Sequence, residues 1–231
     1  MSENNRMEWT YLDRSEWRFS PDEPDAIQWS DDYTGFRCRI QRNHSGALCG
    51  YVGFPEHHPL FGLDYRDSLR MPDGWEDSKL IGDDRVGIVD ALLHACREDK
   101  ANVSVGVYFD AHGGLTYSDS TGDSAETILS DHPDVDMDRL TAYLENLKRE
   151  PWKVGAWVLP DGGHERSWWL GFDCSHYGDI YPGDRYGFNE GYYKDRGYVE
   201  AQVTSLAAQC KRLVEMIEDG TTEIVKREES E

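Results

Sequence analysis

The sequence predicts an α+β fold, in which a mainly antiparallel sheet is built from hairpins and backed by about three helices. Two observations predict this fold. Segments in which apolar and polar residues alternate occur in pairs, and short turn sequences join the members of each pair. Each pair is followed by a segment whose apolar residues recur every three or four positions, which is typical of an amphipathic helix. Hairpins followed by helices favour an antiparallel sheet with helices packed on it.

The expected domain plan has three parts. Residues 1–32 are expected to form a loosely structured acidic leader, because the run at 21–32 has five acidic side chains, two prolines and no Lys or Arg. Residues 33–220 are expected to form a single α+β domain that holds the predicted strands and helices. Residues 221–231 are expected to be a charged, frayed tail.

The first hairpin is predicted to pair a strand over 33–42 with a strand over 47–54. In the first strand, Phe, Cys and Ile alternate with polar side chains, which is the period of a half-buried strand. The intervening Asn-His-Ser-Gly sequence at 43–46 is typical of a turn. A long loop over 55–83 follows, and an apolar face over 84–98 then predicts the first helix.

The second round is predicted to pair a strand over 102–109 with a short strand over 115–118. The sequence Ala-His-Gly-Gly at 111–114 forms the turn between them. The run at 119–138 contains seven acids and no Lys or Arg. An amphipathic helix is predicted over 137–147, just after this loop.

The third round is predicted to pair strands over 153–159 and 167–172 across a turn at 161–164. A loop rich in Tyr and Gly then leads to the last helix. The apolar side of this helix is predicted to consist of Val199, Val203, Leu206, Cys210, Leu213 and Ile217.

The charge balance excludes some classes of partner. The chain has 231 residues, of which 45 are acidic and 24 basic, and its net charge is −21. Sequence-independent binding to DNA, RNA or an anionic membrane needs clustered Lys and Arg, so we expect no direct nucleic-acid or membrane partner. No apolar run approaches the roughly 20 residues of a membrane span, and the N-terminus lacks the apolar run of a secretory signal. A cytoplasmic location is therefore expected.

The acid excess has three explanations. Asp outnumbers Glu by 26 to 19, and the chain has 7 Lys against 17 Arg. A solvated surface adapted to salt or solubility is the simplest explanation. The alternatives are a surface that mimics nucleic acid, which would use the runs at 21–32 and 119–138, and clusters that bind a cation.

The five cysteines predict buried free thiols. Their number is odd and no pair has Cys-x-x-Cys spacing, so a zinc ribbon, a redox motif and a disulfide framework have weak support. Cys174 lies two residues before His176, which raises the weaker alternative of a thiolate nucleophile.

The first candidate site follows the strand over 47–54. His57 and His58 precede a proline that holds them in extended geometry, so they can present two imidazoles to a ligand or a metal. Tyr51, on the strand itself, is a candidate for stacking on a base or sugar. The alternative is that both histidines bond to the backbone of a tight turn.

The second candidate site is the pair Asp110 and His112, which precedes two glycines at a predicted strand end. A carboxylate and an imidazole in this arrangement are a candidate catalytic base with its orienting group, or two metal ligands. Thr116 is a candidate ligand-binding residue on the strand that follows. The alternative is a hairpin turn in which Asp110 caps backbone amides.

The third candidate site lies in the aromatic segment at 168–179. Trp168 is expected to line a pocket and to stack on a ligand. Asp173, His176 and Asp179 are spaced by three, which predicts one face of a helical turn and a ligand set for a divalent metal of the Zn or Mn type. Asp173 and His176 are also candidate catalytic residues. The alternative is a buried aromatic strand that ends in a capped turn.

Four blocks of the sequence resemble an uncharacterised family of proteins that phages, prophages and actinobacterial or archaeal genomes encode. They are CGYVG at 49–53 with His58-Pro59, HGGLTYS at 112–118, WWLGFDCSH at 168–176 and YVE at 198–200. The resemblance implies a phage-related role, including interference with host defence. It implies no activity, so no catalytic residue comes from it.

Two functional hypotheses follow, beside the simpler one of a small structural or accessory phage protein with no catalytic site. The first is an accessory protein with a strand-end pocket that binds a small polar, nucleotide-like ligand or a divalent metal and that hydrolyses its ligand if it is an enzyme. The second is an acidic inhibitor of a nucleic-acid-handling host defence enzyme, of the anti-CRISPR or anti-restriction type, whose acidic runs mimic phosphates. Whether the chain is an enzyme, and whether it holds any cofactor besides such a metal, stays open at this point.

Overall fold

A computed structural model describes residues 6–10, 12–43, 45–72, 102–121, 156–161, 163–184 and 191–227. The helices predicted over 84–98 and 137–147 lie outside these residues, as does the acidic run beyond residue 121. The described elements, in chain order, are β1 (Met7–Trp9), β2 (Ala26–Ser30), β3 (Arg37–Arg42), β4 (Leu48–Phe54), β5 (Ser68–Arg70), β6 (Asn102–Ser104), α1 (Val105–Tyr108), β7 (Tyr117–Thr121), β8 (Trp157–Val158), β9 (His164–Glu165), β10 (Ser167–Asp173), β11 (Asp179–Ile180), β12 (Tyr192–Tyr193), α2 (Arg196–Glu218) and β13 (Glu223–Val225).

Six strands form the main sheet in the order β1-β2-β3-β4-β10-β7, and every neighbouring pair is antiparallel. The α+β class and the mainly antiparallel sheet are therefore confirmed. The expectation of about three helices is wrong for the described residues, which hold the long helix α2 and the single turn α1. Of the three predicted helices, α2 is the one that the described part of the chain includes.

The core lies between the main sheet and α2. The apolar side predicted for α2 is buried from Val199 to Leu213, and it packs on β3 and β4. The helix lies so close to the sheet that a Cβ at Gly50 would be 2.6 Å from Cγ2 of Val203. Such a close approach admits only glycine at residue 50. Neither described helix is long and apolar enough to cross a membrane.

The first predicted hairpin is confirmed, because the whole of β3 pairs with residues 48–53 of β4. Asn43 holds the turn between them, since its Oδ1 accepts the backbone N–H groups of Ser45 and Ala47 at 3.0 and 3.1 Å. An Asn side chain that bonds to the backbone two residues on is a common turn device, which explains why this hairpin was predictable.

The second and third predicted hairpins are wrong. The strand β6 ends at Ser104, pairs with β5 and runs into α1 rather than continuing to residue 109. The strand β7 pairs with β10, and β8 pairs with β9. The alternation of apolar and polar residues predicts that a segment is a strand, but it does not select the partner of that strand.

The expected leader and tail are partly ordered. The strands β1 and β2 join the main sheet although both lie within residues 1–32, and β2 places Ile27 and Trp29 in the core. The two prolines at 21 and 24 come before β2 and leave its hydrogen bonds intact. In the tail, β13 pairs with β5 and completes a three-stranded sheet with β6.

Candidate functional site

A turn connects the end of β10 to β11 and carries three of the predicted site residues. Asp173 is the last residue of β10, His176 lies in the turn, and Asp179 is the first residue of β11. The helical turn predicted from their spacing of three is therefore wrong. The turn nevertheless brings His176 and Asp179 together, because Asp179 Oδ2 accepts the backbone N–H of His176 at 3.0 Å.

His112 reaches the same place from the turn that follows α1. Gly113, the next residue, has a φ of +69°, which L side chains rarely adopt. The His176 ring lies against this glycine, and a Cβ there would be 2.3 Å from Cε1 of the ring. A glycine at residue 113 therefore permits both the turn and the approach of the two histidine rings, whose centroids are 5.5 Å apart.

Asp179 is the most deeply buried member of the cluster, and its side chain is 3% exposed. Its Oδ2 lies 2.8 Å from Nε2 of His112 and 3.7 Å from Nδ1 of His176. The ammonium of Lys194 lies 3.7 Å from its Oδ1. Two imidazoles and one ammonium thus surround a single carboxylate at the end of the sheet.

The other ring nitrogen of His112 contacts the long helix. Its Nδ1 lies 2.9 Å from the hydroxyl of Tyr198, in the first turn of α2. Asp195 caps that turn by accepting the N–H of Tyr198 at 2.8 Å. Burial, followed by nearby charges that include Asp179 and Asp110, raises the pKa of Tyr198, so its hydroxyl stays protonated.

These contacts fix the tautomer of neutral His112. An ionised carboxylate only accepts hydrogen bonds, so Nε2–H donates to Asp179. Nδ1 then accepts the hydrogen bond from Tyr198. The arrangement is a chain of hydrogen bonds from Tyr198 through His112 to Asp179.

Asp173 lies at the rim of the cluster. Its Oδ1 is 3.8 Å from Nδ1 of His176 and accepts from Ser175, while its Oδ2 accepts from the hydroxyl of Thr116 at 3.1 Å. Burial raises the pKa of Asp173, but the hydrogen bonds from Ser175 and Thr116 and the charge of His176 outweigh it, so the pKa is lowered overall. Asp173 is therefore an ionised carboxylate, with a side chain that is 31% exposed.

Three side chains of the cluster offer a ligand set for a metal. One ligand atom each from His112, His176 and Asp179 lies within 4.8 Å of the other two. Nδ1 of His176 is buried and makes no hydrogen bond to any residue that the structure describes. Two imidazole nitrogens and one carboxylate oxygen suit zinc and related divalent transition metals.

The structure does not bring the predicted residues His57, His58, Tyr51 and Trp168 to this cluster. His57 and His58 follow Phe54, at the opposite end of β4 from Cys49, which pairs with Asp173. That separation is about 16 Å along the strand. His58 accepts the N–H of Leu60, and its ring stacks on Phe54 at 4.7 Å.

Trp168 and Tyr51 also have packing roles. The indole N–H of Trp168 donates to the carbonyl of Leu63 at 2.8 Å, and its ring packs against the core. Tyr51 packs edge to face against Tyr117, with the ring centroids 5.4 Å apart. It pairs with Gly171, two residues before Asp173 on β10. Among the residues that the structure describes, neither ring contacts the cluster of imidazoles and carboxylates.

Asp110 and Cys174 border the cluster without joining the ligand set. The backbone of Asp110 exchanges two hydrogen bonds with the side chain of Gln209, at 2.7 and 2.9 Å. Burial, followed by the charge of Asp179, raises the pKa of Cys174, which keeps it a thiol and speaks against a nucleophilic thiolate. The four cysteines in the described part of the chain are free and buried, as expected.

Tyr198 and Lys194 are members of the site that the sequence patterns do not single out. Tyr198 is the first residue of the YVE block at 198–200. It lies in the first turn of the predicted last helix, and this position is the signal that would have placed it near the Tyr- and Gly-rich loop before that helix. Lys194 gives no signal of its own, because it is a single lysine after two tyrosines and belongs to none of the motifs.

Comparisons with protein-family models, curated proteins and solved structures returned no match for the chain. The resemblance to phage-encoded proteins therefore stays a prediction, and the geometry of the cluster is the basis for a functional proposal.

Proposed function

We propose that the chain binds one divalent transition-metal ion of the zinc type through His112, His176 and Asp179, and that the ion activates a water for hydrolysis of a small polar ligand. The observation that supports this most strongly is the convergence of three ligand atoms within 4.8 Å. A tetrahedral ion with bonds of about 2.0–2.1 Å separates its ligand atoms by about 3.4 Å. The observed separations of 2.8 Å and 3.7 Å from Asp179 Oδ2 bracket that value.

Tyr198 gives His112 the support that a metal ligand needs. If Nε2 of His112 held an ion, Nδ1 would carry the proton and would donate to the Tyr198 hydroxyl oxygen, which lies 2.9 Å away. Ligating histidines generally donate their other N–H to such a partner, which fixes the ring orientation. Tyr198 therefore serves either tautomer of His112.

Three protein ligands leave a coordination position for water, which is the pattern of catalytic rather than structural zinc sites. An ion held here would lower the pKa of a bound water and supply hydroxide for attack on the electrophilic carbon or phosphorus of the ligand. Asp173, the ionised carboxylate at the rim, would accept the proton of that water. Asp173 would then give this proton to the leaving group as the bond to it breaks.

The acidic-inhibitor alternative has less support from the described residues. Three of the five acids in the run at 21–32 are directed inward: Glu23 bonds Arg42 and Tyr193, Asp25 is buried against Arg14, and Asp31 caps the turn at Thr34. Side chains held in this way do not form a row of exposed charges. The second run lies outside the described residues beyond residue 121.

A metal titration tests the proposal. Protein stripped with a chelator is titrated with Zn²⁺ and Mn²⁺ by calorimetry, alongside the variants His112→Ala and His176→Ala. His164→Ala is the matched control, because His164 is exposed on β9 and is not in the ligand set. We expect one ion per chain in wild type and control and at least a tenfold loss of affinity in the other two variants. Equal affinity in all four proteins would refute the proposal.

A further inference from the structure

Two exposed tyrosines lie on the backbone next to the proposed metal site. Tyr177, between His176 and Gly178, is 101% exposed, and Tyr192 is 80% exposed. The backbone N–H of Tyr192 donates to the carbonyl of Gly178 at 3.2 Å, so both tyrosines project from the same small patch of backbone. Neither ring packs against another aromatic ring in the part of the chain that the structure describes.

The alternation of side chains along β12 and the next residue indicates on which side Tyr192 lies. The hydroxyl of Tyr193 donates to Glu23 and accepts from Arg42, so this side chain is directed into the body of the protein. Lys194, the next residue, is directed to Asp179. Because side chains alternate along an extended chain, we expect Tyr192 on the side of the chain on which Lys194, two residues later, lies.

Lys194 supplies positive charge at this site. Its ammonium is 3.7 Å from Asp179 Oδ1, outside hydrogen-bonding distance, and lies over the Tyr198 ring at 5.2 Å. A divalent ion bound by Asp179 would add two further positive charges beside it. Lys194 and such an ion would carry three positive charges against the two carboxylates of Asp179 and Asp173, and the small positive excess would favour an anionic ligand.

We propose that the ligand of this site is a nucleoside phosphate. The phosphate would bind the metal ion and Lys194, and the base would stack on Tyr177 and Tyr192, since a base and an aromatic side chain stack face to face without sequence preference. This inference rests on the proposed function, because the metal ion supplies much of the attraction for phosphate. It goes beyond it by naming the ligand class and the two tyrosines that select the planar ring.

The test is a titration of zinc-loaded and zinc-free protein with adenosine 5′-monophosphate, adenosine, ribose 5-phosphate and inorganic phosphate. We expect the monophosphate to bind the zinc-loaded protein at least tenfold more tightly than any of the other three. Monophosphate affinity for the zinc-loaded protein no better than that of adenosine, ribose 5-phosphate or inorganic phosphate would overturn the inference.

Variants separate the contributions of ring and phosphate. Tyr177→Ala and Tyr192→Ala are expected to weaken monophosphate binding by about tenfold and to leave ribose 5-phosphate unchanged. Lys194→Gln is expected to weaken both. Tyr33→Ala is the control, because Tyr33 is 73% exposed in the turn after β2, at the other end of the sheet. Tyrosine variants that bind the monophosphate like wild type would also overturn the inference.

The zinc titration is run first on each variant, so that the two failures are distinguishable. If the protein binds zinc but not the monophosphate, the proposed function stands and the inference about its ligand is wrong. If it binds neither zinc nor the monophosphate, both are wrong.

Discussion

The imidazole of His176 occupies the space that a side chain at Gly113 would need. A Cβ at residue 113 would lie 2.3 Å from Cε1 and 2.7 Å from Nδ1 of the ring, and real Cβ atoms do not come this close to other atoms. The turn after α1 and the turn after β10 are therefore packed against each other through a glycine and a histidine. This contact sets the distance between His112 and His176, on which the proposed metal site depends.

Gly113→Ala is expected to reduce zinc affinity at least tenfold, because the new methyl group must displace the His176 ring. The matched control is Gly35→Ala. Gly35 has a nearly equal φ of +72°, but a Cβ added there would meet no atom within 4 Å. Both variants should lose about 1–2 kcal/mol of stability from backbone strain. Calorimetric zinc titration and thermal melting of the two proteins separate the effect on the site from the effect on the turn.

Asp179→Asn is expected to destabilise even the metal-free protein, by about 1–3 kcal/mol. The substitution removes a buried charge that accepts from His112 and from the backbone of His176. The control is Asp32→Asn, since Asp32 is an exposed turn residue and its substitution should change stability by less than about 0.5 kcal/mol. Urea unfolding of both variants gives the comparison, and equal stabilities would show that the buried carboxylate does not organise the cluster.

Tyr198→Phe is expected to weaken zinc binding by about 10- to 100-fold, because His112 would lose the partner of its second nitrogen. The fold should persist, since the ring remains and only the hydroxyl is lost. Tyr33→Phe, which removes an exposed hydroxyl far from the site, should bind zinc like wild type. An unchanged zinc affinity in Tyr198→Phe would mean that His112 does not need this support.

His58 is expected to make the protein less stable as the pH falls. Burial, followed by the charge of His57, lowers the pKa of His58 from its ordinary value of 6.5. The folded protein therefore takes up this proton less readily than the unfolded chain, so the stability from neutral His58 is complete above about pH 6.5 and is lost progressively below it. Protonation at Nδ1 would also remove the hydrogen bond from Leu60.

The variant His58→Asn tests this expectation, because an Asn oxygen can keep the bond from Leu60 but does not titrate. Unfolding free energies in urea are compared at about pH 7.5 and about pH 5.5 for wild type, His58→Asn and the exposed-histidine control His164→Asn. Wild type and control should lose more stability between the two pH values than His58→Asn does. Equal losses of unfolding free energy in all three proteins would mean that groups other than His58 cause the pH dependence.

The parts of the fold that were predictable from sequence are those with local causes. The hairpin of β3 and β4 follows from alternation and from an Asn turn within a short stretch of chain, and α2 follows from apolar residues that recur at helical spacing. The pairing of β7 with β10 joins Tyr117 to Gly171, which lie far apart in the sequence. Such pairing depends on which faces of the sheet are buried together, which no local pattern expresses.

The candidate site was predictable only as a set of residue types. Asp173, His176 and Asp179 stand out because they lie close together in sequence, although their geometry is a turn and a strand rather than a helix. The contact between His112 and Tyr198 spans 86 residues and arises because α2 begins next to the turn after α1. His57 and His58 are also histidines at a strand end that could bind a metal or a ligand. They follow the other end of β4, however, and therefore lie at the far end of the sheet from Asp173.

Anomalous diffraction at the zinc absorption edge tests the proposed metal site most directly. Crystals of the protein grown with one equivalent of Zn²⁺ should show a single strong anomalous peak per chain, about 2.0–2.2 Å from ligand atoms of His112, His176 and Asp179. The peak should be absent from crystals of His176→Ala and present in His164→Ala. A wild-type map with no peak among these three side chains, or a peak that persists in His176→Ala, would contradict the proposed site.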